Sequence, residues 1–215
     1  MPTKAKIAVI GNIEDVHSGK FQGDPALCLR VAVDEDDGDT SCYYCIIKSW
    51  LTRDLESLKA VFTKGRHVYV EGKPRARWHL EESTNAVLVY TSVLCSELPM
   101  LLDANAAPPT KAKTTVIANI GDVHPGELAG NPVLRLSVAV DENDGDTSWY
   151  SCIIEEHLTR NLEALKAVFT KGRLVYIKGQ SRAKSYLQEG TNATVIYTGV
   201  LCSELPTVLD AKPKG

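Results

Sequence analysis

The sequence has no hydrophobic run approaching the roughly 18 residues that a membrane-spanning helix needs. Its opening stretch, MPTKAKIAVIGNIEDVH, has too short an apolar core for a secretory signal. No membrane partner is expected, and a cytoplasmic location is the default. Excess positive charge is also lacking: 24 Lys and Arg stand against 27 Asp and Glu, a formal net charge of −3 with a pI near 6.0. Attraction to a polyanion cannot come from the field of the whole molecule and would need basic residues gathered on one face. Catalytic signatures are missing as well. There is no Walker loop, no GxSxG, no HExxH and no repeated Ser, His and Asp set, so an enzyme is not expected and no cofactor is implied.

Six cysteines (Cys28, Cys42, Cys45, Cys95, Cys152 and Cys202) lie almost wholly inside apolar runs, where reduced cysteine behaves as a small hydrophobe and a reducing compartment is the natural setting. Cys42-Tyr-Tyr-Cys45 has the spacing of a redox or metal pair, but residues three apart on a strand point to opposite faces. No metal is expected there. The acidic stretch Asp34 to Asp39 lacks the spacing and terminal Glu of a calcium loop. His17 and His124, each in Asp-Val-His with no second ligand nearby, fit a turn or an interface.

What the sequence does contain is itself, twice. A shift of 107 positions aligns Pro2-Thr-Lys-Ala-Lys6 with Pro109-Thr-Lys-Ala-Lys113 and runs without a gap to Asp103-Ala104 and Asp210-Ala211. About two-thirds of the paired positions are identical, and a period this long marks duplicated domains rather than a solenoid. The expected division is a domain over 1–104, a linker over 105–113 and a second domain over 114–215. The linker is small, polar and Pro-containing. The copies differ in charge: −3 for residues 1–107 and 0 for 108–215.

Within one copy, strands are expected over Ile7 to Val16, with Gly11 weakening it or marking a bulge, Leu27 to Val33, and Tyr43 to Ile47. The apolar residues Leu51, Leu55, Leu58, Val61 and Phe62 recur at three and four, the stripe of one amphipathic helix that Gly65 would end. Strands from Arg66 to Gly72, running on towards Trp78, and from Ala86 to Leu94 complete an order β-β-β-α-β-β. The fold class is all-β with one helix per repeat: two tandem OB-fold barrels.

Three passages then become recognisable: Val9-Ile-Gly-Asn-Ile13, Thr147-Ser-Trp-Tyr150, and the run from Phe62-Thr-Lys-Gly-Arg66 to Arg75-Ala-Arg-Trp78. Over nearly all of each copy the chain resembles the bacterial single-stranded DNA-binding protein family, with its related primosomal OB proteins. The resemblance implies a barrel that binds single-stranded DNA (ssDNA) by aromatic stacking and basic backbone contacts. It also implies assembly of four barrels, here a homodimer of a two-barrel chain. The aromatic that the family carries early in the third strand corresponds to Trp149 in copy two but to Cys42 in copy one. The tryptophan after the fourth strand's basic stretch corresponds to Trp78, whereas copy two has Ser185 with Tyr186 beside it. A further family aromatic late in the third strand corresponds to Lys48 and Glu155. The family's acidic recruitment tail has no counterpart in Leu209-Asp-Ala-Lys-Pro-Lys-Gly215, so its partner-recruiting function is not expected.

The candidate ssDNA-binding residues are Tyr44, Lys73, Arg75, Arg77 and Trp78 in copy one and Trp149, Lys178, Arg182, Lys184 and Tyr186 in copy two. Lys73, Arg75 and Arg77 alternate, which on a strand sets three cations on one face to follow a phosphate backbone or merely to be solvated. Trp78 and Trp149 serve either base stacking or core and interface packing. Trp50, which faces His157 in the alignment, reads as surface or inter-domain packing, while Tyr43, Tyr150, Tyr69 and Tyr176 read as core or interface residues. The functional expectation is an ssDNA-binding protein acting in DNA replication, recombination or transfer. Its rival is an OB-fold protein-interaction or replication-restart accessory module with weak or lost ssDNA binding.

Overall fold

The computed structural model describes residues 4–34, 40–52, 54–81, 86–102, 111–141, 147–159, 161–187 and 194–209, with the backbone alone at 77–81, 86–90, 182–187 and 194–198. Two compact units emerge, one of residues 6–113 and the other of residues 1–5 with 114–215. The chain is mostly β. The first copy supplies β1 (Lys4–Phe21), β2 (Asp24–Asp34), β3 (Thr40–Lys48), α1 (Leu55–Val61), β4 (His67–Glu81), β5 (Ala86–Cys95) and β6 (Met100–Leu102). The second copy supplies β7 (Lys111–Leu128), β8 (Asn131–Asp141), β9 (Thr147–Glu155), α2 (Leu162–Val168), β10 (Leu174–Leu187), β11 (Thr194–Cys202) and β12 (Thr207–Val208), with a single 3₁₀ turn at Glu156–Leu158.

In the first unit β1 pairs with β2 and β4, β2 with β3, β3 in parallel with β5, and β5 with β4, so the five ladders form a ring. The second unit repeats this with β7, β8, β9, β11 and β10. Period-two alternation sets the inside and the outside. Leu27, Leu29, Val31 and Val33 of β2 and Tyr43, Cys45 and Ile47 of β3 point inward to a core closed by Val68, Val70 and Val93. Leu134, Leu136, Val138, Tyr150, Cys152 and Ile154 are the counterparts in the second unit. Each large side chain so buried stabilises by about 1.5–3 kcal/mol. Tyr43 and Tyr150 are therefore core residues.

Three features depart from the sequence expectation. First, the bulge in β1 is at Glu14, between Ile13 and Asp15, and not at Gly11. Gly11 instead packs so tightly that a β-carbon would strike the Ala32 carbonyl and the Val31 side chain. The strand then continues past Val16 to a two-residue turn at Gln22 and Gly23, both at positive φ, the geometry that favours tight hairpins. Second, the helix begins at Leu55 rather than Leu51, because Asp54 caps it: its Oδ1 accepts from the Ser57 N–H at 2.9 Å. It stops at Phe62, whose extended backbone (φ −84°, ψ 93°) turns the ring into the core. Gly65, at φ +86°, lies in the turn beyond and donates to Ile13 O at 2.7 Å. Third, the short strands β6 and β12 add to β4 and β10.

Candidate nucleic-acid interface

The outward-facing residues of the β1–β2–β3 and β7–β8–β9 ladders differ in chemical kind between the two copies. In the second unit Trp149 stands opposite Ala139 on the outer face and is 54% exposed. Its neighbours at the corresponding outward positions are Ser137 on β8 and Ser151 on β9, directly paired with each other, and the bulge residue Gly121 on β7. The indole lies across Gly121, where a side chain would collide with the far edge of its ring. The result is an aromatic surface bordered by small residues.

In the first unit the same four positions hold Cys42, Arg30, Tyr44 and Glu14. Glu14 Oε2 lies 3.0 Å from Arg30 Nε and accepts from Cys42 Sγ at 3.6 Å. Arg30, opposite Tyr44 in the register, donates to the tyrosine oxygen, which together with Glu14 raises the guanidinium pKa. Burial first, then the Glu14 carboxylate, pushes the Cys42 thiol up. This face is an ionic and hydrogen-bonded patch around Tyr44, with a thiol where the second unit has an exposed indole.

The register joins the expected β3 and β4 residues. Tyr44 is opposite Ser92 on β5, and Ser92 is opposite Arg75 on β4, its hydroxyl donating to Arg75 O at 3.2 Å. Two inter-strand spacings separate Tyr44 from Arg75, about 10 Å. Lys73 and Arg75 alternate with buried Gly72 and Pro74, so both lie on one side of β4. Arg77 and Trp78 continue that strand opposite Tyr90 and Val89, but their side chains lie outside the described residues. The matching row of the second unit runs from Ser151 through Gly199 to Arg182. Lys184 and Tyr186 follow opposite Tyr197 and Val195, with the side chains of Arg182, Lys184 and Tyr186 likewise outside the described residues.

Lys178 is placed apart from this row. Its Nζ is 2.9 Å from Glu204 Oε2, so its charge is already balanced. It occupies the position of Glu71, which accepts from Lys6 and from Tyr69 Oη at 2.8 Å. Those bonds, that from Lys6 foremost, hold the Glu71 carboxyl below the usual range, while burial and Glu71 push Tyr69 up to about 12.

Cys42 is exposed and Cys45 buried, on opposite sides of β3. No group of three or more potential metal ligands occurs among the described residues. His17 and His124 lie beside Asp15 and Asp122, two residues earlier on the same strands, at 3.2 and 3.6 Å. Residues 35–39, the greater part of the acidic turn, lie outside the described residues. Among the described residues no helix is long and apolar enough to cross a membrane.

Glu14, Arg30 and Gly121 were not among the expected site residues. Their signal was present in the alignment of the copies, where Glu14 faces Gly121, Arg30 faces Ser137 and Cys42 faces Trp149.

No protein-family model matches the chain, and no curated protein matches it. Solved structures do. The wild-type single-stranded DNA binding protein from Thermus aquaticus superposes with a TM-score of 0.61 at 16% identity, covering 100% of this chain and 97% of that one. A deletion variant of the same protein gives 0.60 at 15% identity, covering 100% and 99%. Over its whole length the chain thus shares the fold of the Thermus aquaticus single-stranded DNA binding protein.

Proposed function

We propose that the chain is an ssDNA-binding protein of two tandem OB-fold barrels, over 1–104 and 114–215, that holds ssDNA by base stacking and Lys/Arg contacts to the phosphates. The observation that carries the reading is Trp149. A half-exposed tryptophan on a strand face, bordered by Gly121, Ser137 and Ser151, presents a π-surface of the kind on which unpaired bases stack regardless of sequence. The register sets the basic row of β10 two strands away, which suits a strand whose bases lie on Trp149 while its phosphates run past Arg182 and Lys184. In the first unit Tyr44, Lys73, Arg75, Arg77 and Trp78 are the corresponding set. The fold shared with a protein described as ssDNA-binding supports the same reading. Replication, recombination or transfer of DNA is the setting, in a reducing cytoplasm that suits six free cysteines. Two copies per chain make a homodimer the assembly with four barrels.

A second reading is favoured by one observation. The first unit's face carries Cys42 where the second has Trp149, beside the Glu14–Arg30 pair, and this suits a protein-interaction or restart accessory module with weak ssDNA binding. Anisotropy of a labelled oligothymidylate, titrated at low and moderate salt, separates the two. Salt-sensitive binding, weakened roughly five- to 150-fold by Trp149→Ala, is the expected outcome. Absence of binding at low salt overturns the ssDNA reading and leaves the accessory module.

A further inference from the structure

The largest apolar exposure among the described residues belongs to Trp50, at 66%. Tryptophan is usually largely buried, and what surrounds this exposed indole decides what it can do. Trp50 follows the end of β3 in a turn closed by the Leu51 N–H on Lys48 O at 3.0 Å. Ser49 donates to Pro25 O at 3.3 Å, which lays this turn alongside the tip of the β1–β2 hairpin. At that tip Lys48 Nζ sits 4.7 Å from the centroid of the Phe21 ring and donates to Gln22 Oε1 at 3.4 Å. Lys20 is exposed on the same hairpin. Two aromatic rings and the Lys48 ammonium group are therefore gathered at one end of the first unit, while Lys20, opposite Pro25, points to the other side of the hairpin from Lys48, opposite Ala26.

The second unit repeats the hairpin, follows it with a 3₁₀ turn at Glu156–Leu158, and has the opposite chemistry. Lys20, Phe21, Lys48, Ser49 and Trp50 become Glu127, Leu128, Glu155, Glu156 and His157. Both cations are reversed in sign, the Phe21 ring gives way to an aliphatic side chain and the indole to the smaller imidazole of His157, while Asp24 becomes the neutral Asn131. A neighbouring phosphate chain would be attracted at the first end and repelled at the second.

We infer that Trp50, with Lys48, forms a stacking subsite for an unpaired base of single-stranded nucleic acid, present in the first unit alone. It rests on the ssDNA-binding reading above and adds to it that the two copies hold the strand at different places. The second unit holds it at Trp149 in the middle of a face, and the first adds the hairpin end to the row of Tyr44 and Arg75. Where the second unit has the Trp149 indole the first has only the Cys42 thiol beside Glu14, and Trp50 supplies an indole at another place.

The test uses the full chain with Trp50 as the sole tryptophan, Trp78 and Trp149 being replaced by Phe. Titration with oligothymidylate should quench Trp50 emission along the binding isotherm. In the otherwise native chain, Trp50→Ala should weaken oligothymidylate binding by roughly five- to 150-fold. Lys48→Glu, which copies the second unit's residue, should weaken it and flatten its salt dependence. Because Trp50 is solvent-facing, the alanine variant should melt at the temperature of the parent. If the native chain binds oligothymidylate while Trp50 emission is unmoved and both variants bind like the parent, the subsite is refuted and the ssDNA reading stands. Trp50 would then be a docking residue for protein. If the native chain binds no oligothymidylate at low salt, both readings fall together.

Discussion

Trp149 lies over Gly121 so closely that a β-carbon at position 121 would come within 2.5 Å of Cζ3 and 2.9 Å of Cη2 of the indole. In the first unit the same pair of positions holds Cys42 and Glu14. The two substitutions compensate: the copy with the large ring has no side chain beneath it, and the copy with a side chain has only a thiol above. Because the colliding atoms belong to the far end of a rotatable side chain, Gly121→Ala should displace the indole and leave the strands paired. Oligothymidylate affinity should therefore fall in the native background and not change further in a Trp149→Ala background, a non-additive cycle measured by anisotropy. Equal losses in both backgrounds would show that Gly121 acts through the backbone and not through the ring.

The cysteines give a prediction with a defined pH direction. Burial drives Cys45 and Cys152 well above the ordinary thiol range and Cys95 and Cys202 up to about 12. Cys42 is exposed, yet burial of part of its thiol and the Glu14 carboxylate raise it too. In the folded chain a thiol reagent should label Cys42 first, but slowly at neutral pH, because the thiolate is the attacking species and its fraction rises only as pH climbs towards the elevated value. Removing the nearby carboxylate with Glu14→Gln lowers the pKa and should speed labelling at neutral pH. Mass spectrometry of the labelled chain checks both statements, and faster labelling of Cys45 than of Cys42 would contradict the core assignment.

Thr114 takes in the second unit the place of Ile7 in the first, and both are fully buried. The Thr114 hydroxyl has no hydrogen-bond partner among the described residues. An unsatisfied buried polar group costs about 1–3 kcal/mol, so Thr114→Val, which keeps the branched shape that suits a strand, should stabilise by about 1 kcal/mol. Denaturant unfolding should show a higher midpoint with an unchanged slope. A lower midpoint would mean that the hydroxyl is satisfied in solution.

The alternation of apolar residues made the strands of each copy readable, since Leu27, Leu29, Val31 and Val33 face inward at every second position. The helix start was not readable from periodicity. Leu51 continues the apolar spacing and packs on the core, but it precedes the cap at Asp54. The bulge was misplaced because glycine at 11 is the visible irregularity, whereas the unpaired residue is an ordinary Glu14. Trp149 was legible as a candidate from its place in the third strand, but its floor at Gly121 is 28 residues away and only the register joins them. Trp50 reads from the sequence as surface or inter-domain packing, and its exposure places it on the surface of its unit. The pairing of Lys178 with Glu204, 26 residues on, is made by the fold and has no signal in the sequence.

The paired substitutions also define a reciprocal experiment. If the aromatic surface of the second unit needs no more than an indole and the space beneath it, the first unit should acquire one from two changes, Glu14→Gly and Cys42→Trp. Cys42 and Trp149 occupy equivalent register positions opposite Ala32 and Ala139, so the new side chain would start from the same backbone site. Arg30 would lose the carboxylate that now neutralises it and stand beside the new ring as an added cation, where the second unit has Ser137. The double variant should bind oligothymidylate about five-fold or more tighter than the native chain, with a steeper salt dependence from the unmasked Arg30. Cys42→Trp alone should gain little, because Glu14 still fills the space under the ring. Equal gains from the single and double variants would show that the bulge residue does not control access to the face, and that Gly121 and Trp149 diverged independently.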